Sequence, residues 1–172
     1  TPEPAVPQTA HSCVEALNQA EQYLVDVIIG DTRDPAEYLD GFPSAPVWAK
    51  KAWRALRAMQ DYAELKSDGS FDGNFLQYCR DCPTSGHTIP AQWVAMRESE
   101  QTDNNPVYRH ARVFPVPAEV DPDEEIYMCA HIKLEAGSSP APRIHFYDDT
   151  AGETGALHVG YFGEHLPTGQ TN

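Results

Sequence analysis

The chain predicts an α+β fold, in which a helical N-terminal half packs on a C-terminal antiparallel β-meander. Three observations carry that expectation. Helix caps followed by apolar residues at helical spacing recur between residues 12 and 66. Prolines 106, 115, 117 and 122 then exclude long helices. From Glu125 onward, three segments alternate apolar and polar residues with the period of two that belongs to half-buried strands. With 172 residues, 41% of them apolar and 22% charged, the chain fills one core of ordinary size. The expected domain spans 12–166, with a proline-rich flexible tail or linker end over 1–11 and a short flexible tail over 167–172.

Taken in order, Ser12 and Glu15 form a capping box, and Cys13, Leu17, Ala20, Leu24, Val27 and Ile28 recur at helical spacing as far as Gly30. That predicts a first amphipathic helix. "DPAE" at Asp34 to Glu37 repeats the cap signal with proline at the first helical position, where its missing N–H costs nothing, and predicts a short helix ending near Gly41. The run from Ser44 to Lys66 is the strongest helical segment: Trp48, Ala52, Ala55, Leu56, Met59 and Tyr62 or Ala63 share one side. Lys50, Lys51, Arg54 and Arg57 share the other. Such a stripe can grip an acidic partner or a phosphate chain, and the plainer account is a solvated face pairing with local carboxylates.

"SDGSFDG" ends that helix, "NFLQYCRDC" reads as another short one, and "TIPAQWVAMRESE" reads as helical again with Thr88 as its cap. "RVFPVP" is at best an edge strand, where missing amide donors are tolerated. Glu125 to Glu135 reads as one half-buried strand with Ile126, Met128, Ala130, Ile132 and Leu134 facing inward. "RIHFYD" adds Ile144 and Phe146 to that face, and "ALHVGYF" adds Leu157, Val159 and Tyr161. Between these two lies "DDTAGETG", a hairpin turn with solvated acids; its carboxylates lack the spacing of an EF-hand. Gly160 and Gly163 bracket an aromatic pair and predict backbone that bends or is closely approached.

Placing the apolar set inward forces Tyr127, Cys129, His131, Lys133, Arg143, His145, Tyr147, His158 and Phe162 onto the other, open face. Strands lie about 4.8 Å apart, so three imidazoles on adjacent strands come close if the register aligns them. His165, on the way out of the last strand, can join them at the sheet edge. This face is the candidate site, with His131, His145, His158, Arg143 and Tyr147 as its chemistry-bearing side chains. It suits acid–base work, in which a near-neutral histidine moves a proton while Arg143 or Lys133 steadies an anion. It also suits a metal, with Asp148 or Asp149 completing the shell; or it binds nothing, histidine being tolerated on exposed strands among aromatic and basic neighbours. Helices followed by an antiparallel sheet, with basic, histidine and tyrosine side chains on the open face, resemble the small bacterial ribosome-dependent toxin ribonucleases of the RelE kind over the last third of the chain.

A second constellation is "YCRDCPTSGH", where Cys79 and Cys82 can clasp one tetrahedral ion from a single turn with His87 just beyond, and Cys129 and His131 offer later ligands. Zinc is the metal that such a set would take. A helix end with one buried and one exposed cysteine is the plainer alternative. Four cysteines are too few and too irregular for a disulfide scaffold, which favours a reducing cytoplasm.

The formal charge of −14, from 26 acids against 12 bases, disfavours nucleic acid as a partner. The run "YLVDVIIG" is too short to span a membrane and contains Asp26. Motifs for acyl transfer, nucleotide phosphates and zinc proteases (GxSxG, GxxxxGK[ST], HExxH) are absent. Two functions follow from these readings. The first is an accessory or protein-interaction domain of a larger intracellular, bacterial system, with a protein partner or a longer parent polypeptide. The second is a small histidine-dependent hydrolase or ribonuclease acting through the sheet face.

Overall fold

The structure is a computed structural model and describes residues 5–81, 86–137 and 139–169. Four helices, α1 (Cys13–Tyr23), α2 (Arg33–Asp40), α3 (Ala45–Ser67) and α4 (Phe75–Asp81), build the front half. Two further short helices, α5 (Glu100–Asn104) and α6 (Pro106–His110), follow a 3₁₀ turn at Ala91–Trp93. The strands are β1 (Val27–Ile29), β2 (Val94–Ala95), β3 (Val113–Pro115), β4 (Glu125–Tyr127), β5 (His131–Lys133), β6 (Arg143–Asp148) and β7 (Leu157–Gly163). This is the α+β fold expected, with β5, β6 and β7 as its antiparallel meander. The sheet is mixed, in the order β1-β7-β6-β5-β2, and β3 and β4 form a second antiparallel pair.

The helices cover one face of the five-stranded sheet. Leu17, Trp48, Leu56, Met59 and Phe75 meet Ile132, Ile144, Phe146, Leu157, Val159 and Phe162 in a single core. Phe75 and Phe146 touch edge to face at 5.9 Å, a contact that fixes α4 on the sheet. Helix α1 starts where expected, since the Ser12 side chain accepts from the Glu15 N–H. Asp40, at the end of α2, accepts from the N–H groups of Cys13 and Val14, so two helices share one cap.

Three segments differ from the sequence expectation, each because a distant strand offered hydrogen bonds that local propensity could not foresee. The first helix stops at Tyr23, and Val27, Ile28 and Ile29 extend to pair in parallel with β7. β-branched residues suit a strand, and the β7 edge satisfies their backbone. The segment after Thr88 is a 3₁₀ turn leading into β2, which pairs with the outer edge of β5. The stretch from Glu125 to Glu135 is two strands in two sheets: Phe114 pairs with Ile126 in the small sheet, and Ile132 with Ile144 in the large one. Between them the Met128 N–H donates to Arg112 O and Ala130 O accepts from the Phe146 N–H. Ala130, Ile132 and Leu134 join the core beneath the helices, whereas Met128 packs on the opposite side of the sheet, against Gly160.

The described part of the proline-rich opening, from residue 5, is docked on the domain. Pro7 O accepts from Trp53 Nε1 at 2.8 Å and Ala10 is fully buried. Pro167 is held in the same way, its carbonyl accepting from Arg112 Nη1 at 2.7 Å. The basic side of α3 is used at home. Lys51 donates to Leu134 O and Arg54 to Thr88 O, both beside the Trp93 ring, while Arg57 donates to Pro7 O and lies over Trp53. Carbonyls and indole faces, rather than carboxylates, are the partners. Among the described residues no helix is long and apolar enough to cross a membrane.

Candidate functional site

The histidine-bearing face is covered rather than open. The small sheet lies across it: Phe114 stacks on Tyr161 at 5.6 Å and tilts toward His145 at 6.5 Å. A residue at 160 larger than glycine has no room, because a Cβ there would stand 2.6 Å from Met128 Sδ and from Phe114 Cβ. Gly160 is the extra residue of a bulge, since His145 pairs with Tyr161 and Phe146 with Val159. One added residue reverses the alternation beyond it. Phe162 therefore turns into the helical core and Tyr161 onto the histidine face, opposite to strict parity from Leu157.

His131 and His145 are brought together. They are cross-strand partners whose rings stack at 4.9 Å with 26° between planes. His145 is 1% exposed and His131 is 9% exposed. His131 Nδ1 lies 2.9 Å from Cys129 O and His145 Nδ1 lies 2.9 Å from Met128 O. A carbonyl only accepts, so both Nδ1 atoms carry the proton and both Nε2 atoms keep a lone pair. Burial holds His145 well below the usual histidine range, with the neighbouring His131 adding to the effect. Burial also lowers His131, against the opposing pull of Cys129 O and Glu98. The pair is therefore neutral.

His158 is not part of this pair. It lies opposite Tyr147, a half-buried residue of β6, and its Nε2 is 2.9 Å from Thr154 Oγ1. The Thr154 hydroxyl donates to Asp149 Oδ2 at 2.5 Å, so His158 must be the donor to Thr154. That is the wrong direction for activating a hydroxyl nucleophile. The trio clamps the turn from Asp149 to Ala156, as the Thr154 N–H bond to Asp149 confirms.

Arg143 is buried, 8% exposed, and unusual in its partners. Its Nη1 donates to the carbonyls of Glu135, Ala141 and Pro142, and its Nε has no partner. Among the described residues no carboxylate comes within ion-pairing distance of it. Two residues that sequence reasoning missed lie beside it. Glu98 precedes α5 and is paired with Arg112 Nε, and Arg112, 1% exposed, also donates to Tyr108 O and Pro167 O. Glu98 sat in a segment expected to be helical and Arg112 beside an expected edge strand, and no spacing singled out either. His165, foreseen at the sheet edge, binds Leu166 O through Nδ1 at 2.6 Å.

Glu98, Arg143 and His165 border a cavity of about 560 Å³ that Ser99, Thr102, Pro140 and Ala141 also line. Ser99 donates to Thr102 Oγ1, and the exposed Glu164 stands at the mouth.

Of the cysteine set, Cys79 is buried on α4 and Cys82 lies outside the described residues. His87 is engaged elsewhere, its Nδ1 and main-chain N–H both meeting Asp61 Oδ2, at 2.8 and 2.7 Å. Cys129 donates weakly to Met96 O, and burial followed by Asp103 raises its thiol above the usual range, away from the thiolate that zinc requires. The group that does converge among the described residues is Glu98, His131 and His145, with one ligand atom from each within 4.8 Å of the others. Imidazoles that donate Nδ1–H to carbonyls are oriented as metal ligands are. The surroundings oppose a dication, since Arg112 already occupies the Glu98 carboxylate and the Arg143 charge acts on His131.

No protein-family model matches the chain, and no curated protein or solved structure emerges as a relative, so the site is read from its own geometry.

Proposed function

We propose that this is a non-enzymatic recognition domain, an accessory module of a larger cytoplasmic and bacterial system, and that it recognises a ligand through the polar cavity on the histidine-bearing side of the sheet. One observation carries the reading. The stacked imidazoles are neutral, buried and committed to main-chain carbonyls beneath a second sheet, while the solvent-reaching part of the cluster is a cavity of about 560 Å³. A cavity of this size suits a small molecule or a short segment of a partner. A ribonuclease that lays a phosphate chain on an open sheet face is disfavoured by the covering strands and by the −14 charge.

A second reading, a small histidine-dependent hydrolase, draws on one specific feature. His165 lines the cavity with its Nδ1 turned to Leu166 O, which leaves Nε2 as a base within reach of a bound molecule. The two readings separate in one experiment. Wild-type protein and His165→Ala are assayed against ester, phosphodiester and RNA substrates, with amide ¹H–¹⁵N spectra recorded for a library of small molecules. The recognition reading expects shifts at Thr102, Ala141 and Thr168 and no turnover. Turnover that disappears in His165→Ala would overturn it in favour of the hydrolase.

A further inference from the structure

We infer that the ligand of this cavity carries a carboxylate, and that Arg143 is its counter-ion. The inference rests on the recognition reading and narrows it to a chemical class.

The charge count at the site decides the sign of the ligand. Of the charged groups buried at the site, Arg112 is the ion-pair partner of Glu98, and Arg143, which feels Glu98 only from beyond ion-pairing distance, has carbonyls as its hydrogen-bond partners. His131 and His145 are neutral and add nothing. One positive charge is left over, in a protein whose formal charge is −14. Burying an unpaired guanidinium costs several kcal/mol even when carbonyls satisfy some of its donors. A chain with 26 acidic residues has no shortage of carboxylates to place beside Arg143. Instead its Nε is left without a partner and the residue lines a cavity. An incoming anion supplies the missing charge.

The remaining lining narrows the anion. The exposed Glu164 also borders the cavity, so a ligand with several negative charges meets more repulsion there than a single carboxylate does. The guanidinium fork matches a carboxylate in plane and spacing. Ser99, Thr102 and Ser139 line the rest of the space together with Pro140 and Ala141, which suits a neutral body, polar or aromatic. The class is thus a small monocarboxylate with a neutral polar or aromatic body.

The test titrates wild-type protein by calorimetry with benzoate, with the neutral isostere benzamide and with inorganic phosphate. Saturable benzoate binding at least tenfold tighter than benzamide and phosphate is the expected result. Arg143→Met is expected to weaken benzoate at least tenfold, with Arg143→Lys in between. Because the three-ligand comparison uses wild-type protein alone, the proposal stays testable if Arg143→Met does not fold. Benzamide equal to benzoate would overturn the charge assignment and leave the cavity reading standing. Phosphate equal to benzoate would overturn the assignment to carboxylate. If none of the three binds and none moves the amides of Thr102 or Ala141, this inference falls; the recognition reading falls only if the wider library also leaves those amides unmoved.

Discussion

Gly160 and Phe114 meet across the two sheets so closely that a Cβ on the glycine would stand 2.6 Å from Phe114 Cβ. Backbone and a ring anchored in β3 have nowhere to retreat. Gly160→Ala is therefore expected to destabilise the domain by about 1–3 kcal/mol, seen as a lower urea midpoint and a changed near-ultraviolet dichroism as the small sheet lifts. Gly41→Ala is the control, because a Cβ there makes an ordinary 3.4 Å contact with Tyr38 O. Equal midpoints for the two variants would refute the close packing of the sheets.

The buried imidazoles make stability fall in acid. Burial depresses the native pKa values of His131, His145, His158 and His165 below the ordinary 6.5. Below that value the unfolded chain takes up protons that the folded chain refuses, so the stabilisation present above pH 6.5 is lost as pH drops through the native values. The slope of unfolding free energy against pH below 6.5 reports it. His145→Phe should flatten that slope; an unchanged slope would mean that His145 is not buried neutral.

Breaking the Arg112–Glu98 pair from one side is expected to be expensive. Arg112→Met leaves the Glu98 charge beside a low-dielectric interior and strips the Tyr108 and Pro167 carbonyls of their donor, a loss of about 3–5 kcal/mol. Glu98→Gln keeps an acceptor in place but removes the counter-ion of the buried Arg112, and should cost about 3 kcal/mol, the lower end of that range. Chemical denaturation of both variants checks the order, which a pair of exposed, screened charges would not show.

Imidazole nitrogen spectra test the tautomers directly. His131 and His145 are expected to be protonated at Nδ1 and bare at Nε2, and His158 protonated at Nε2. Stoichiometric zinc is expected to leave these signals in place, given the two guanidinium groups nearby. Loss or displacement of both Nε2 signals would instead establish Glu98, His131 and His145 as a metal site.

Much of the fold was legible because it rests on local chemistry. The Ser12 cap, the long apolar side of α3 and the alternation of Arg143 to Asp148 each stand in a few neighbouring residues and appear where expected, whereas α2 begins at Arg33, two residues ahead of the proline expected at its first position. The meeting of His131 with His145 followed from their places on successive strands once the register was set. What was not legible is non-local. Val27 to Ile29 match a helix in isolation and become a strand only because β7 lies alongside. His158 shares a face with His145 and still belongs to a different cluster, since Thr154 and Asp149 claim it first.

The sequence by itself determined the α+β class, the core-facing residues of the helices and the concentration of histidine and arginine on one side of a meander, because caps and periodicity act over one or two turns. Only the tertiary structure decided that this side is roofed by β3 and β4, that a bulge at Gly160 exchanges Tyr161 for Phe162, and that Glu98 goes to Arg112 while Arg143 is left with carbonyls. Those outcomes depend on which distant backbone groups and charges come within a few ångströms of one another, and a one-residue change of register rewrites them all.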